Sequence, residues 1–289
     1  MSQEDSISFS QVTIVGPGLL GGSIGMGLKE KGMADEIWAY LRDEKKRKIC
    51  ANTTWCDRTV VDLQESVQQS DLVVLCTPVE TILDQLPKLS KWVNPGCLVT
   101  DVGSLKKEIC ECGQKWFNNQ SSFFVGSHPM TGSEKEGIQF ASPEILKNKN
   151  CILTPTGDWN SAPCQRVTKM WQKLGMQVTK MTPETHDEIV GWISHLPHIV
   201  ASSLINILRN KDENWMNLCG NGLKDTTRIA SGNPEMWKQI ILGNKDNIIA
   251  GLEHMVEELN GIKRLLETNN RDKIMTALDS AKKVRDRLK

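Results

Sequence analysis

The chain has 289 residues, of which 39% are hydrophobic and 24% charged, with 35 basic against 35 acidic side chains. At roughly 100–200 residues per domain, that is room for one large domain or two ordinary ones. The even charge balance excludes the basic groove of a nucleic-acid binder and an acidic tail, so no nucleic acid is expected as a partner. No apolar run reaches the ~18 residues that cross a bilayer, and the polar opening MSQEDSISFS lacks the basic and apolar parts of a secretory signal. The expectation is a cytoplasmic protein with no membrane partner. The nine Cys form no CxxC pair. Cys110 and Cys112 stand too close for a zinc pair, so the thiols read as reduced and no metal is expected.

In chain order, short apolar runs alternate with amphipathic stretches through the first half. Val12–Val15, Ile37–Tyr40, Leu72–Cys76, Leu98–Thr100, Phe123–Val125 and Cys151–Leu153 read as strands. Gly21–Lys31, Leu63–Gln69, Thr81–Leu89 and Leu105–Trp116 read as helices between them, followed by a helix over Asn160–Leu174 and a last strand over Met176–Met181. That alternation predicts a parallel sheet covered on both faces. From Thr182 the texture changes. Thr182-Pro183-Glu184 supplies an N-cap, a first-turn Pro and a first-turn acid, and a long helical pattern follows to about Arg209. Pro234–Leu242, Lys245–Glu267 and Arg271–Leu288 are further helices. The predicted class is α/β: a Rossmann-type doubly wound sheet over residues 1–181, then an all-helical domain over 182–289.

The segment Gly16-Pro17-Gly18-Leu19-Leu20-Gly21 fits GxGxxG between the first strand and the first helix. In that context Gly16 permits a tight turn, Gly18 lets backbone approach a pyrophosphate, and Gly21 lets the helix pack on the strand, while the N–H groups of the helix start face phosphate. An NAD-binding unit carries an acid at the end of its second strand. Here that place holds Leu41, followed by Arg42. A guanidinium suits a 2′-phosphate, so NADP is the preferred cofactor and NAD the alternative, with Asp43 available to a ribose hydroxyl if the register shifts. Cys76-Thr77-Pro78 ends the fourth strand where the ligand crevice of such a sheet lies; a plain strand-ending turn fits those residues as well.

Three further places carry chemistry. His128 follows the strand Phe123–Val125 in Gly126-Ser127-His128-Pro129, and Asp101-Val102-Gly103-Ser104 follows the preceding strand, so Gly103, Ser104 and His128 share one rim of the sheet. Ser194-His195-Leu196-Pro197-His198 places two imidazoles three residues apart on a helix that Pro197 interrupts. No HExxH or acid cluster accompanies them, which favours acid–base work over a metal. Lys224 and Arg228 lie on a Gly-rich approach to a helix, where a guanidinium can grip a carboxylate; a solvated helix start is the plain reading of the same residues. His254, alone on a polar helix, reads as surface.

Taken together, GPGLLGGS at 16–23, DVGSLK at 101–106, GSHPMTGSEKEG at 126–137, HD at 186–187, SHLPH at 194–198 and KDTTRIASGNPEMW at 224–237 resemble the prephenate and arogenate dehydrogenase family of tyrosine biosynthesis. The resemblance covers nearly the whole chain. It implies an NAD(P)-dependent oxidative decarboxylation of prephenate or arogenate, giving 4-hydroxyphenylpyruvate or tyrosine. His128 matches the family's catalytic histidine at the C4 hydroxyl, and Ser104 the serine supporting it. His198 matches a second histidine of the substrate pocket, with Ser194 and His195 beside it. Arg228 matches a carboxylate-binding arginine, and Glu134 and Trp237 match residues lining or gating the pocket. Lys224 stands where many members have Arg. The resemblance also implies that residues 182–289 are the substrate and dimerisation domain, with a homodimer formed through that helical half. The rival readings are a β-hydroxyacid-type dehydrogenase, which would place a catalytic Lys where Ser194–His198 stand, and a non-catalytic NADP-binding sensor.

Overall fold

The computed structural model describes residues 7–117, 121–132, 135–212 and 214–288. Its first half runs β1 (Phe9–Val15), α1 (Leu19–Glu30), β2 (Ala34–Tyr40), α2 (Glu44–Ala51), β3 (Arg58–Val60), α3 (Leu63–Val67), β4 (Leu72–Leu75), α4 (Val79–Trp92), β5 (Leu98–Asp101), α5 (Lys107–Phe117), β6 (Phe123–Pro129), β7 (Asn150–Thr154), α6 (Ala162–Lys173) and β8 (Gln177–Lys180). The eight strands form one sheet in the order β3-β2-β1-β4-β5-β6-β7-β8. All neighbours are parallel except β6 and β7.

The alternation of side chains along each strand explains why helices cover both faces. Leu72 and Val74 of β4 join an apolar cluster with Ile24 and Leu28 of α1 and Val167, Met170 and Trp171 of α6. Val73 and Leu75, one residue out of phase, join Val67, Ile82, Leu86, Leu89 and Ile109 from α3, α4 and α5 on the opposite face. This is the doubly wound Rossmann-type arrangement, and the reversal of strand order beside β1 and β4 opens the crevice used below.

The structure differs from the sequence reading at three places. β6 continues to Pro129, so Ser127 and His128 lie within a strand rather than after one. The strand changes partner midway: Phe123–Val125 pair with β5, and Gly126–Pro129 pair antiparallel with β7, His128 opposite Ile152. An antiparallel neighbour carries the ladder past the point where β5 ends, and Gly126 is required there because a Cβ would meet the Cys110 sulfur at 2.6 Å and Thr154 Oγ1 at 2.7 Å. The elements α2 and β3 are additional, and α5 starts two residues later than the pattern suggested.

Beyond residue 181 every regular element is helical: α7 (Pro183–Val190), α8 (Leu196–Leu208), α9 (Asn214–Asn217), α10 (Asn221–Thr227), α11 (Pro234–Gly243), α12 (Lys245–Glu267) and α13 (Arg271–Arg285). Thr182 caps α7 as its sequence required, accepting the Thr185 N–H at 3.2 Å. Between α7 and α8, Gly191–His195 form a π-helical turn that runs directly into the Pro-containing start of α8. No helix among the described residues is long and apolar enough to cross a membrane, and the nine cysteines are free thiols.

Candidate active site

The turn between β1 and α1 is shaped as its glycines demand. Gly16 has φ +74°, and a side chain there would meet Thr77 Cγ2 at 2.5 Å. Gly18 has open space where a Cβ would stand, whereas a Cβ on Gly21 would press on Ile14 and Cys76 at about 3 Å. No side chain caps the start of α1, so its first N–H groups face the crevice. A cleft of about 710 Å³ opens there, lined by Gly16, Gly18, Tyr40, Leu41, Arg42, Asp43, Lys46, Cys76, Thr77, Pro78 and Glu136–Gln139. These residues fit a dinucleotide, with phosphate at the uncapped helix and a flat apolar wall at Leu41 and Ile49. Leu41 is buried and Arg42 exposed at the rim; Asp43 accepts the Lys46 N–H at 2.8 Å as the cap of α2.

A second cavity of about 420 Å³ shares Cys76, Thr77, Pro78 and Glu136 with that cleft and adds Leu20, Val102, Gly103, Ser104, Met236 and Ile240. A third, about 470 Å³, shares Ser104, Met236 and Ile240 with the second and is lined further by His128, Met130, Thr131, Gly132, Lys149, Ser194, His195, Arg228, Ile229, Gly232 and Trp237. The three spaces follow one another from the glycine turn to His128. The loop after β5 that joins the last two is fixed from within: Asp101 accepts the N–H of Gly103 at 2.8 Å and of Ser127 at 3.1 Å. Its carboxylate also pairs with fully buried Lys106, which donates to the Ser127 carbonyl at 2.9 Å.

Around the third cavity the histidines are wired to one another. Asp187 of α7 accepts the N–H of Lys106 at 2.8 Å and of Lys107 at 3.0 Å, capping the start of α5, which is why that helix begins where it does. The same carboxylate lies 2.7 Å from Nδ1 of His186, and Nε2 of His186 lies 2.8 Å from Nδ1 of His128. On the other wall, the Asn244 amide donates to the Asp187 carbonyl at 2.7 Å and to Nδ1 of His195 at 3.0 Å. With Nδ1 of His195 accepting, its proton sits on Nε2. Burial holds all of these imidazoles below the usual histidine range. For His128 it acts with the charges of His186, Lys106 and His195; His195 is pushed down to about 4, again chiefly by burial. Asp187 stays below the usual carboxylate range because its hydrogen bonds to His186 and the two backbone N–H groups outweigh burial.

The residues singled out from sequence divide into groups. Gly16, Gly18, Leu41, Arg42, Cys76, Thr77 and Pro78 line the first cleft, Leu20 and Gly103 the second, and Ser104, His128, Ser194, His195, Arg228 and Trp237 the third. Gly21 and half-buried Leu19 lie in the first turns of α1 without lining these spaces. His198 is not on the cavity wall: its ring stacks on Trp237, centroids 3.5 Å apart and planes within 10°, and Nδ1 is buried without a partner among the described residues. Lys224 is exposed on α10, outside the third cavity. Glu134 lies outside the described residues. His254 is exposed and meets Trp192 edge-on. Sequence reasoning gave no role to His186, Asp187, Asn244, Lys106, Lys46 or Lys149; the HD pair and the DVGSLK segment were the available signals for three of them.

A dinucleotide crevice joined to a buried acid–base cavity between a Rossmann-type sheet and a helical half defines a two-domain nicotinamide-dependent oxidoreductase. The family described as prephenate dehydrogenase, nucleotide-binding domain, matches residues 24–180, and that described as prephenate dehydrogenase, dimerization domain, matches residues 182–280. The chain belongs to the prephenate dehydrogenase family. A prephenate dehydrogenase of Bacillus subtilis is 29% identical over 96% of this chain and 76% of its own length. The structure of A. aeolicus prephenate dehydrogenase in complex with hydroxyphenyl propionate and NAD+ superposes with a TM-score of 0.90 at 30% identity, covering 98% of this chain and 100% of that one. Synechocystis arogenate dehydrogenase gives 0.80 at 28% identity, covering 96% and 99%.

Proposed function

We propose that this chain is a cytoplasmic, homodimeric enzyme that oxidises and decarboxylates prephenate or arogenate with a nicotinamide dinucleotide, NADP being preferred. One observation supports it above others: a continuous cleft leads from the glycine turn, past Ser104, to half-buried His128, whose Nε2 has no hydrogen-bond partner among the described residues. When bound, the oxidised nicotinamide accepts a hydride. The chain's own residues then have three tasks. His128 takes the proton of the substrate's C4 hydroxyl as the C4–H electron pair departs. Loss of CO2 from C1 returns its bonding pair to the ring, and the aromatic oxygen recovers its proton. Ser104, at the junction of the two cavities, hydrogen-bonds the same hydroxyl, and the Nε2–H of His195 and the hydroxyl of Ser194 hold substrate oxygens. Arg228 holds a carboxylate, with Trp237, backed by His198, closing the wall; Lys224 belongs to the approach.

At the adenosine end, Leu41 in place of an acid, together with Arg42 and Lys46 at the rim, supports NADP over NAD. The division of labour falls at residue 181, with dimerisation assigned to the helical half. Purified protein supplied with prephenate and arogenate in turn, each with NADP and with NAD, tests all of this through absorbance of the reduced nicotinamide. Reduction of neither cofactor with either acid would sink the activity. A higher kcat/KM with NAD than with NADP would overturn the cofactor preference alone.

A further inference from the structure

We infer that Asp187, acting through His186, decides which nitrogen of His128 faces the substrate without a proton, and that both are positioning residues for the proton transfer. The inference rests on the reading of His128 as the base.

The argument is one of hydrogen-bond polarity. An ionised carboxylate only accepts. Asp187 already accepts two backbone N–H groups at the start of α5, so its 2.7 Å contact with His186 requires the proton on Nδ1 of that ring. A neutral imidazole carries one ring proton, so Nε2 of His186 is a bare acceptor. Its 2.8 Å contact with His128 then requires the proton on Nδ1 of His128. Nε2 of His128 is left with its lone pair, the form that can take a proton from a hydroxyl. Reversing any one link reverses all of them.

The surroundings reinforce that order. His128 feels Lys106 from the loop after β5, His186 from α7 and His195 from the π turn, while Asp101 at the end of β5 and Asp187 of α7 bear on His186. The two carboxylates are committed, Asp101 to Lys106 and Asp187 to His186 and α5. Neither touches His128 directly, so the tautomer of His128 is set by His186. Asp187 and His186 lie in the helical half, whereas His128 lies on β6. The base is therefore in its working tautomer only when α7 is docked on the start of α5.

Asp187→Asn tests this with almost no change of shape. An amide has one accepting oxygen. In Asp187, Oδ1 serves both the Lys106 N–H and His186 while Oδ2 serves the Lys107 N–H, so with the single amide oxygen kept on Lys107 the NH2 stands where Oδ1 was and donates to His186. His186 must then accept at Nδ1 and donate at Nε2, and His128 is left with a proton on Nε2. We expect kcat to fall by about 10²–10⁴-fold with KM and cofactor Kd nearly unchanged, and the residual activity to show an altered pH profile. Wild-type kcat with the wild-type pH profile in this variant would overturn the inference. Because loss of a helix cap can unfold the variant, the unmutated protein supplies a second arm. Long-range 1H–15N correlations of its imidazoles should show His128 and His186 both protonated at Nδ1, with His128→Asn providing the assignment. A proton on Nε2 of neutral His128 would overturn the inference whatever the variant does. Failure of the unmutated enzyme to turn over prephenate or arogenate would instead count against the proposed activity, and the tautomer measurement would stand apart from it.

Discussion

The two halves of the molecule spend their apolar residues differently. In the sheet half, side chains such as Val12, Ile14, Leu72, Val74, Trp55 and Trp171 are wholly or almost wholly buried against helices of the same chain. Among the described residues of the helical half, the apolar side chains that reach that state are Val190, Leu196, Ala201, Ile240 and Ile248, while Ile207, Leu218, Leu242, Leu259, Leu266, Met275 and Leu278 are all at least 60% exposed. A sheet with both faces covered completes its own core. The long helices α12 and α13 present apolar stripes with nothing of this chain against them, the pattern of a surface that meets another copy. The active-site cavity lies on the seam between a self-sufficient half and a half that is not.

Four experiments would break or sharpen this contrast. The largest effect is expected at the seam: His128→Asn should lower kcat by about 10²–10⁴-fold while KM stays within a few-fold, since the proton is shared only during reaction. Near-normal turnover would remove His128 from its role. Next comes the sheet half. Lys106→Met leaves the Asp101 carboxylate buried without its partner, and denaturant unfolding should show a loss of about 3–5 kcal/mol. A loss below 1 kcal/mol would mean that the ion pair contributes little.

The third concerns acid. His128, His186 and His195 are held neutral by burial, His195 down to about 4, whereas an imidazole of the unfolded chain titrates near ~6.5. Below that pH the unfolded chain takes up protons that the folded one refuses, so folding stability falls as pH falls. The slope approaches about 1.4 kcal/mol per pH unit for each such imidazole and flattens above pH ~6.5. Stability that is level from pH 7 to 5 would contradict the burial of these rings. The smallest energetic effect on the single chain is expected on the helical surface. Leu259→Glu with Leu266→Glu should change monomer folding by no more than about 0.5 kcal/mol yet lower the mass seen in sedimentation from a dimer to a monomer. An unchanged mass would move the interface elsewhere.

What could be read in the sequence followed the same division. Strands with continuous apolar runs, such as Leu72–Leu75, and the glycine turn were plain because burial on both faces and a positive φ each leave a distinctive residue pattern. α2 was missed because EKKRKICA buries only Cys50 and has no apolar period; its capping Asp43 was the signal to use. β3 is three residues long with only Val60 buried. Gly126 and Pro129 hid the extension of β6, because residues that ordinarily end strands are tolerated where the partner strand changes. In the site, residue type and place singled out Ser104, His128, His195 and Arg228, which line one cavity. The Asp187–His186 chain was not, because hydrogen bonds between α7, α5 and β6 leave no spacing rule along the sequence. His198 was misplaced for the opposite reason: a three-residue spacing puts it on the same face as His195, but Trp237 stands in front of it.

The π turn at Gly191–His195 carries a spare residue between two helices. A π turn holds one residue more than an α turn, and each residue of an α-helix turns the chain by about 100°. The wide turn takes in the extra residue and leaves the phase of α8 close to that of a continuous helix. Removing one residue there would let α7 and α8 fuse with His198 still turned toward Trp237, whereas removing one from the straight part of α8 would rotate everything downstream by about 100°. The turn thus works as slack between two helices, and a deletion inside it should disturb the helical half less than a deletion in α8.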